Sequence, residues 1–201
     1  MKRALALLAV AGVAWVGSGC CASFRAGHLE RIGRWPPGPP PEPEQMKAVS
    51  VIFQTSTDEE GKPHPMDDRS WVLYRNATHW AYFLSRRFTN VREGPVLSEL
   101  RAEATLTEHL KRSPFYLKIA AVLTFGLVPY WERREWTLTT VVSDAQGKEL
   151  ARFEKSESLI IWTQLLLTFA FPFAPPPRVA ATCVFDLNRA TIAEAYEQGV
   201  Y

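Results

Sequence analysis

The chain has 201 residues, 47% of them apolar and 22% charged, an ordinary globular composition with room for one folded domain. The formal charge is +2, but Lys2 and Arg3 lie in a segment expected to be removed, which takes Lys and Arg from 23 to 21 against 21 Asp and Glu. Nucleic acid and anionic lipid bind through clustered positive charge, so a neutral mature chain points to neither. Arg86-Arg87 and Arg133-Arg134 read as solvated surface pairs.

At the start of the chain, Lys2 and Arg3 precede an uncharged apolar run of 13 residues, Ala4 to Val16. The small residues Gly17, Ser18 and Gly19 follow, and the order is that of a secretory signal. A stable membrane-spanning helix needs about 20 apolar residues, so the run reads as the core of a signal peptide rather than a permanent anchor.

Gly17-Ser18-Gly19-Cys20 resembles the lipobox of bacterial lipoproteins, although Gly17 stands where that motif usually has Leu. The resemblance implies cleavage between Gly19 and Cys20, diacylglycerol on the Cys20 sulfur, and a fatty acyl group such as palmitate on the new amino terminus. One acyl chain gives only marginal attachment, whereas two or three hold a protein on the membrane durably. An Asp directly after the lipidated cysteine favours inner-membrane retention in such lipoproteins. Cys21 occupies that position, so for a Gram-negative source the resemblance implies the periplasmic face of the outer membrane. Of the other cysteines, Cys183 reads as a small buried apolar residue, with a Cys21–Cys183 disulfide as the alternative in an oxidising compartment.

Residues 20–45 read as a lipidated amino terminus and linker. Gly33 to Glu44 carries six of the fifteen prolines, and proline fixes φ and removes a backbone donor. That composition predicts a semi-rigid polyproline II spacer, with a folded periplasmic domain over 46–201. Val49, Val51 and Phe53 alternate with less apolar neighbours, which predicts a strand, and Thr55 to Ser70 predicts a polar loop. The cluster Trp71, Tyr74, Trp80, Tyr82 and Phe83 predicts paired strands turning near Asn76. Val96, Leu97, Leu100, Ala104 and Leu110 recur at helical spacing before Ser113-Pro114, predicting a helix laid on a sheet. Trp136, Leu138, Thr140 and Val142 alternate, Asp144 to Gly147 carries turn chemistry, and Leu150 to Phe153 returns, a β-hairpin. Asn188 to Gln198 predicts a terminal helix with Asn188 as its cap, and an earlier start near Arg178 stays open. The fold class is α+β: one small domain with an antiparallel sheet, including a hairpin at about 135–155, packed against one or two helices.

Ile119 to Trp131 and Leu159 to Ala174 are the most apolar parts of the mature chain. The second has 16 residues, contains Gln164 and breaks at Pro172, so it is too short and interrupted to span a bilayer comfortably. Burial as a core strand and helix is the leading reading for both. The alternatives are an element lying in the lipid interface and a surface for a protein partner. Trp131, Trp162, Phe169 and Phe171 are the candidates for membrane or partner contact. Leu123 to Pro129, the turn at Asp144 to Lys148 and the run from Leu159 resemble an uncharacterised family of small periplasmic α+β lipoproteins. That resemblance implies a fold but no activity.

His28, His64, His79 and His109 lack zinc-site spacing, and HExxH, CxxC, GxSxG and P-loop patterns are absent from the sequence. His64, Asp67 and Asp68 share one loop, and solvation explains them better than a metal. The residues predict no cofactor, no metal and no enzymatic activity. The expected role is that of a lipid-anchored accessory, assembly or structural component that contacts another envelope protein. A binding module for an apolar ligand or lipid is the alternative: a closed cavity would favour it, an exposed apolar patch the accessory role.

Overall fold

The computed structural model describes residues 21–27, 29, 35–36, 39–59, 62–124, 126–164, 167 and 175–201. Seven strands form one sheet: β1 (Cys21–Arg25), β2 (Lys47–Glu59), β3 (Lys62–His64), β4 (Phe88–Glu93), β5 (Leu100–Arg112), β6 (Tyr130–Asp144) and β7 (Glu149–Thr163). Three helices accompany it: α1 (Asp68–Ser85), α2 (Phe115–Leu123) and α3 (Pro176–Glu197). The strand order is β1-β7-β6-β5-β2-β3, with β4 also paired to β2. Pairing is antiparallel from β1 through β5, and parallel where β2 meets β5 and β4. This is the expected α+β class, and the hairpin is longer than its predicted core. β6 and β7 stay in register from Tyr130–Thr163 to the turn, where the Asp144 carboxylate accepts from the Gln146 and Lys148 amides.

Strand alternation fixes which side of the sheet is covered. Leu100, Ala102, Ala104 and Leu106 on β5 face the same way as Trp136, Leu138 and Val142 on β6 and Phe153 and Leu159 on β7, and all are buried. α1 and α3 lie side by side over that face. Tyr74 of α1 meets the Trp136 ring edge-on at 5.9 Å, and Val184 and Leu187 of α3 complete the same cluster. Each fully buried Leu or Val contributes roughly 1.5–3 kcal/mol relative to exposure, so this single layer of contacts holds the domain together. The opposite face carries Thr105, Thr107, Thr137, Thr139 and charged residues, as suits an antiparallel sheet with one wet side.

Several elements differ from the sequence expectation. Residues 100–112 form a strand, not a helix: burial alternates at every second residue from Leu100 to Glu108. Residues 68–85 form a helix rather than paired strands. Its buried positions Tyr74, Ala77, Thr78, Ala81, Tyr82 and Ser85 recur at three- and four-residue steps, and the Asp67 carboxylate caps it by accepting from the Arg69 and Ser70 amides. The polar loop predicted over 55–70 is instead the end of β2, then β3, then the start of α1. The terminal helix begins at Pro176, so Asn188 is no cap. It lies buried within α3 and donates to Thr78 Oγ1 and to the Val184 carbonyl. The Pro-rich stretch is not a free spacer where it is described. Trp35 packs against the second core cluster beneath the Arg189 guanidinium, and Arg87 donates to the Pro39 carbonyl.

Candidate membrane-contact site

Strand register brings Cys21, the start of β1, to the same end of the sheet as the segment that joins β5 to β6. Cys21 pairs with Thr163, and Thr163 pairs with Tyr130, so the start of β1, the end of β7 and the start of β6 lie in one row. Cys20 directly precedes Cys21 in the chain. β5 ends two residues farther along, where Arg112 pairs with Glu132, and α2 follows after Ser113 and Pro114. The Ser113 amide donates to the Trp131 carbonyl and Gln164 Nε2 donates to the Leu127 carbonyl. These two bonds tie both ends of the α2 segment to the strands at the Cys21 end of the sheet.

α2 is turned inside out. Pro114 stops β5 and occupies the N-cap position; at the other end the Thr124 hydroxyl and amide both return to the Ala120 carbonyl, and Gly126 follows at φ 81°. Only Ala121 of this helix is buried. Phe115 is 75% exposed, Val122 71%, Leu123 74% and Ile119 44%. At 100° per residue these four, with Tyr116, fall on one contiguous face, flanked by the exposed Lys118. The helix contains no acidic residue. For the described residues of Ile119 to Trp131 the expectation of a buried core element is therefore overturned: Ala121 alone is buried, and α2 contributes no residue to the clusters formed by α1 and α3. Leu159 and Ile161, by contrast, are core residues of β7.

Trp131 and Trp162, two of the four candidates from sequence, are directly opposed across β6 and β7 on the face away from α1 and α3. Trp162 is also the register partner of Ala22 in β1. Phe169 and Phe171, as well as Gly19 and Cys20, lie outside the described residues. Between α2 and the strand ends runs a groove of about 440 Å³, its walls formed by Phe115, Tyr130 and Trp131 with Arg112, Lys118 and Glu132. A second groove of about 450 Å³ is lined by Leu29 and by charged side chains including Arg133, Glu135, Glu154 and Lys155. Neither is a closed apolar chamber.

Sequence reasoning missed two internal charge clusters. Arg25 reaches from β1 to Asp186 of α3 at 2.6 Å and to Glu157 of β7 at 3.1 Å, and Asp186 also pairs with Arg189 at 3.0 Å. The Glu157 side chain is almost wholly buried. This cluster clamps β1, and with it the residue that follows Cys20, to the folded body. Gly27 is part of the same arrangement, because a Cβ there would lie 1.6 Å from Glu157 Oε1 and 2.7 Å from the Ser158 amide nitrogen. In the other cluster Arg134 lies 3.3 Å from Glu108, and burial lifts the Glu108 carboxyl above its usual range against the pull of Arg134. Apart from the local Asp186–Arg189 pair, no spacing announces either cluster, since the partners come from elements far apart in the chain.

Cys21 and Cys183 are both free, so the alternative of a bridge between them does not hold. The Cys21 thiol meets the Thr163 hydroxyl at 3.4 Å, while burial pushes the Cys183 thiol up to about 11. Asp67 is engaged as the α1 cap, and hydrogen bonding from Ser70 holds its carboxyl below the ordinary range. Among the described residues no group of three His, Cys, Asp or Glu could hold a metal ion. No described helix is long and apolar enough to cross a membrane.

The sheet and its two covering helices define a small single-domain α+β protein. No protein-family model matches the chain, and no curated protein does. Solved structures similar to it include bacterial lipoproteins. A minor lipoprotein from Acinetobacter baumannii aligns over 73% of this chain and 88% of its own at 10% identity, with a TM-score of 0.38. A protein described as a lipoprotein from Caulobacter crescentus CB15 aligns over 71% of this chain and 91% of its own, at 15% identity and a TM-score of 0.27. A protein described as a homolog of a neuraminyllactose-binding hemagglutinin, from Helicobacter pylori, aligns over 65% of this chain and 70% of its own at 9% identity and a TM-score of 0.39. Likeness this distant carries no argument about activity.

Proposed function

We propose that this protein is a lipid-anchored envelope component, tethered through Cys20 to the periplasmic face of the outer membrane and acting through protein contacts rather than catalysis. The observation that carries the reading is where its apolar surface goes. It is displayed on helix faces instead of lining a closed chamber, and exposed apolar patches of this kind mark interfaces. One display is α2. The other is the outer face of α1, where His79, Trp80 and Phe83 contact one another and Val72 and Leu84 are also exposed. Trp80 is twelve residues along α1 from Asp68, about 18 Å farther from the anchor end, so the two displays look toward different neighbours.

Crosslinking in intact envelopes, followed by capture of the lipidated protein, tests the accessory role. A discrete envelope protein should be recovered, and its yield should fall when Trp80 and Phe83 are both changed to Ala. Recovery of no protein partner together with stoichiometric lipid would instead favour the module that binds an apolar ligand. Replacing Cys20 with Ser should move the protein from the membrane fraction to the soluble periplasm.

A further inference from the structure

We infer that α2 is a second membrane contact: its exposed face of Phe115, Tyr116, Ile119, Val122 and Leu123 lies in the interface of the leaflet that holds the Cys20 lipid. The inference rests on the lipid-anchor reading and adds an orientation to it. Three observations select a lipid surface over other occupants. Register places the residue after Cys20 in the same row as Tyr130, and the Ser113 amide and the Gln164 side-chain amide, bonded to the Trp131 and Leu127 carbonyls, hold the α2 segment near that row. Acyl chains leaving residue 20 therefore enter the membrane beside this helix. The face itself has interfacial character, with large apolar and aromatic residues, Lys118 at its border, and no carboxylate to desolvate. Finally, Trp131 and Trp162 stand opposite each other at the same sheet end, and tryptophan is favoured at headgroup depth.

Two attachment points do what one cannot. A single flexible lipid leaves a domain free to tumble above the bilayer, whereas an anchor clamped to the sheet by Arg25 and a helix resting alongside fix which end faces the lipid. β2 has 13 residues at about 3.3 Å each, so the far end of the sheet stands roughly 40 Å from the anchor end. α1 runs toward that far end, which carries the Trp80–Phe83 surface away from the bilayer and toward the periplasm.

The test uses the lipidated full-length mature protein in phosphatidylethanolamine–phosphatidylglycerol vesicles, with an environment-sensitive fluorophore at Val122→Cys or, as control, Phe83→Cys, each with Cys21→Ser. Both positions are exposed, so the label disturbs no core contact. The expected result is strong quenching of position 122 by nitroxide carried on the lipid chains and weak quenching by aqueous iodide, with the reverse at position 83. Equal iodide quenching at both positions overturns the inference. Shielding of position 122 from both quenchers also overturns it, because a protein surface then covers the helix. A mass spectrum of the same sample's amino terminus keeps the two readings apart. A lipidated Cys20 with a water-exposed position 122 removes only the helix contact, and an unmodified terminus with lipid quenching at 122 removes only the anchor.

Discussion

α2 and α3 solve opposite problems with similar residues. α3 spans 22 residues and turns Cys183, Val184, Leu187, Ile192 and Ala195 onto the sheet, so its apolar surface holds the domain together. α2 spans 9 residues and turns Phe115, Val122 and Leu123 outward. Apolar content alone therefore does not mark core: α2 is the more apolar of the two helices by composition, yet only Ala121 is buried. What separates them is position. α3 lies over the sheet beside α1, whereas α2 lies in the connection between β5 and β6 and buries only Ala121.

That contrast yields predictions that run from large losses of stability to none. Arg25→Ala should be the most destabilising, because removing one partner of a buried charge cluster typically costs about 3–5 kcal/mol. Urea unfolding reads the loss, and hydrogen exchange should show β7 opening first where β1 has been released. Leu187→Ala on α3 should cost about 2–5 kcal/mol by leaving a cavity among fully buried neighbours, again read by urea unfolding. Asp67→Ala should cost about 1 kcal/mol through the lost α1 cap. Because hydrogen bonding holds the folded Asp67 carboxyl below its ordinary 3.8, its contribution is present above that value and is lost as pH falls through the folded value. The wild type and Asp67→Ala should thus converge in stability under strongly acid conditions, which thermal unfolding at stepped pH would show. Val122→Asp should leave stability within about 0.5 kcal/mol, as a substitution on an exposed position, while weakening vesicle association of protein that lacks the Cys20 lipid. A loss of several kcal/mol there would mean that α2 is core after all and would erase the contrast.

The hairpin could be read from sequence because both of its signals agree: period-two alternation on β6 and an Asp-to-Gly turn at 144–147. α1 and β5 could not, because local propensity and periodicity disagree in both. Trp71, Val72, Tyr74, Trp80 and Tyr82 are strand-favouring side chains placed in a helix, and only the three- and four-residue recurrence of Tyr74, Thr78 and Ala81 betrays it. Ala102, Ala104, Leu106 and Glu108 are good helix formers placed in a strand, where the alternation with Arg101, Glu103, Thr105 and Thr107 is the signal that counts. For the candidate site, the apolar character of 119–131 and the interest of Trp131 and Trp162 were visible in advance. The outward face of α2, the pairing of the two tryptophans and the Arg25 clamp were not, since each depends on register between distant strands. The Pro-rich composition of 33–44 suggested a spacer because composition does not reveal that Trp35 has a core cluster to pack against.

The orientation of the domain on the membrane depends on what is bonded to Cys20. Mass spectrometry of the amino-terminal peptide from the membrane-extracted protein tests it directly. The account predicts a chain that begins at Cys20 and carries the mass of a diacylglyceryl group together with an amide-linked acyl chain. A mature terminus at another residue, or an unmodified Cys20 in protein that still fractionates with membranes, would contradict it.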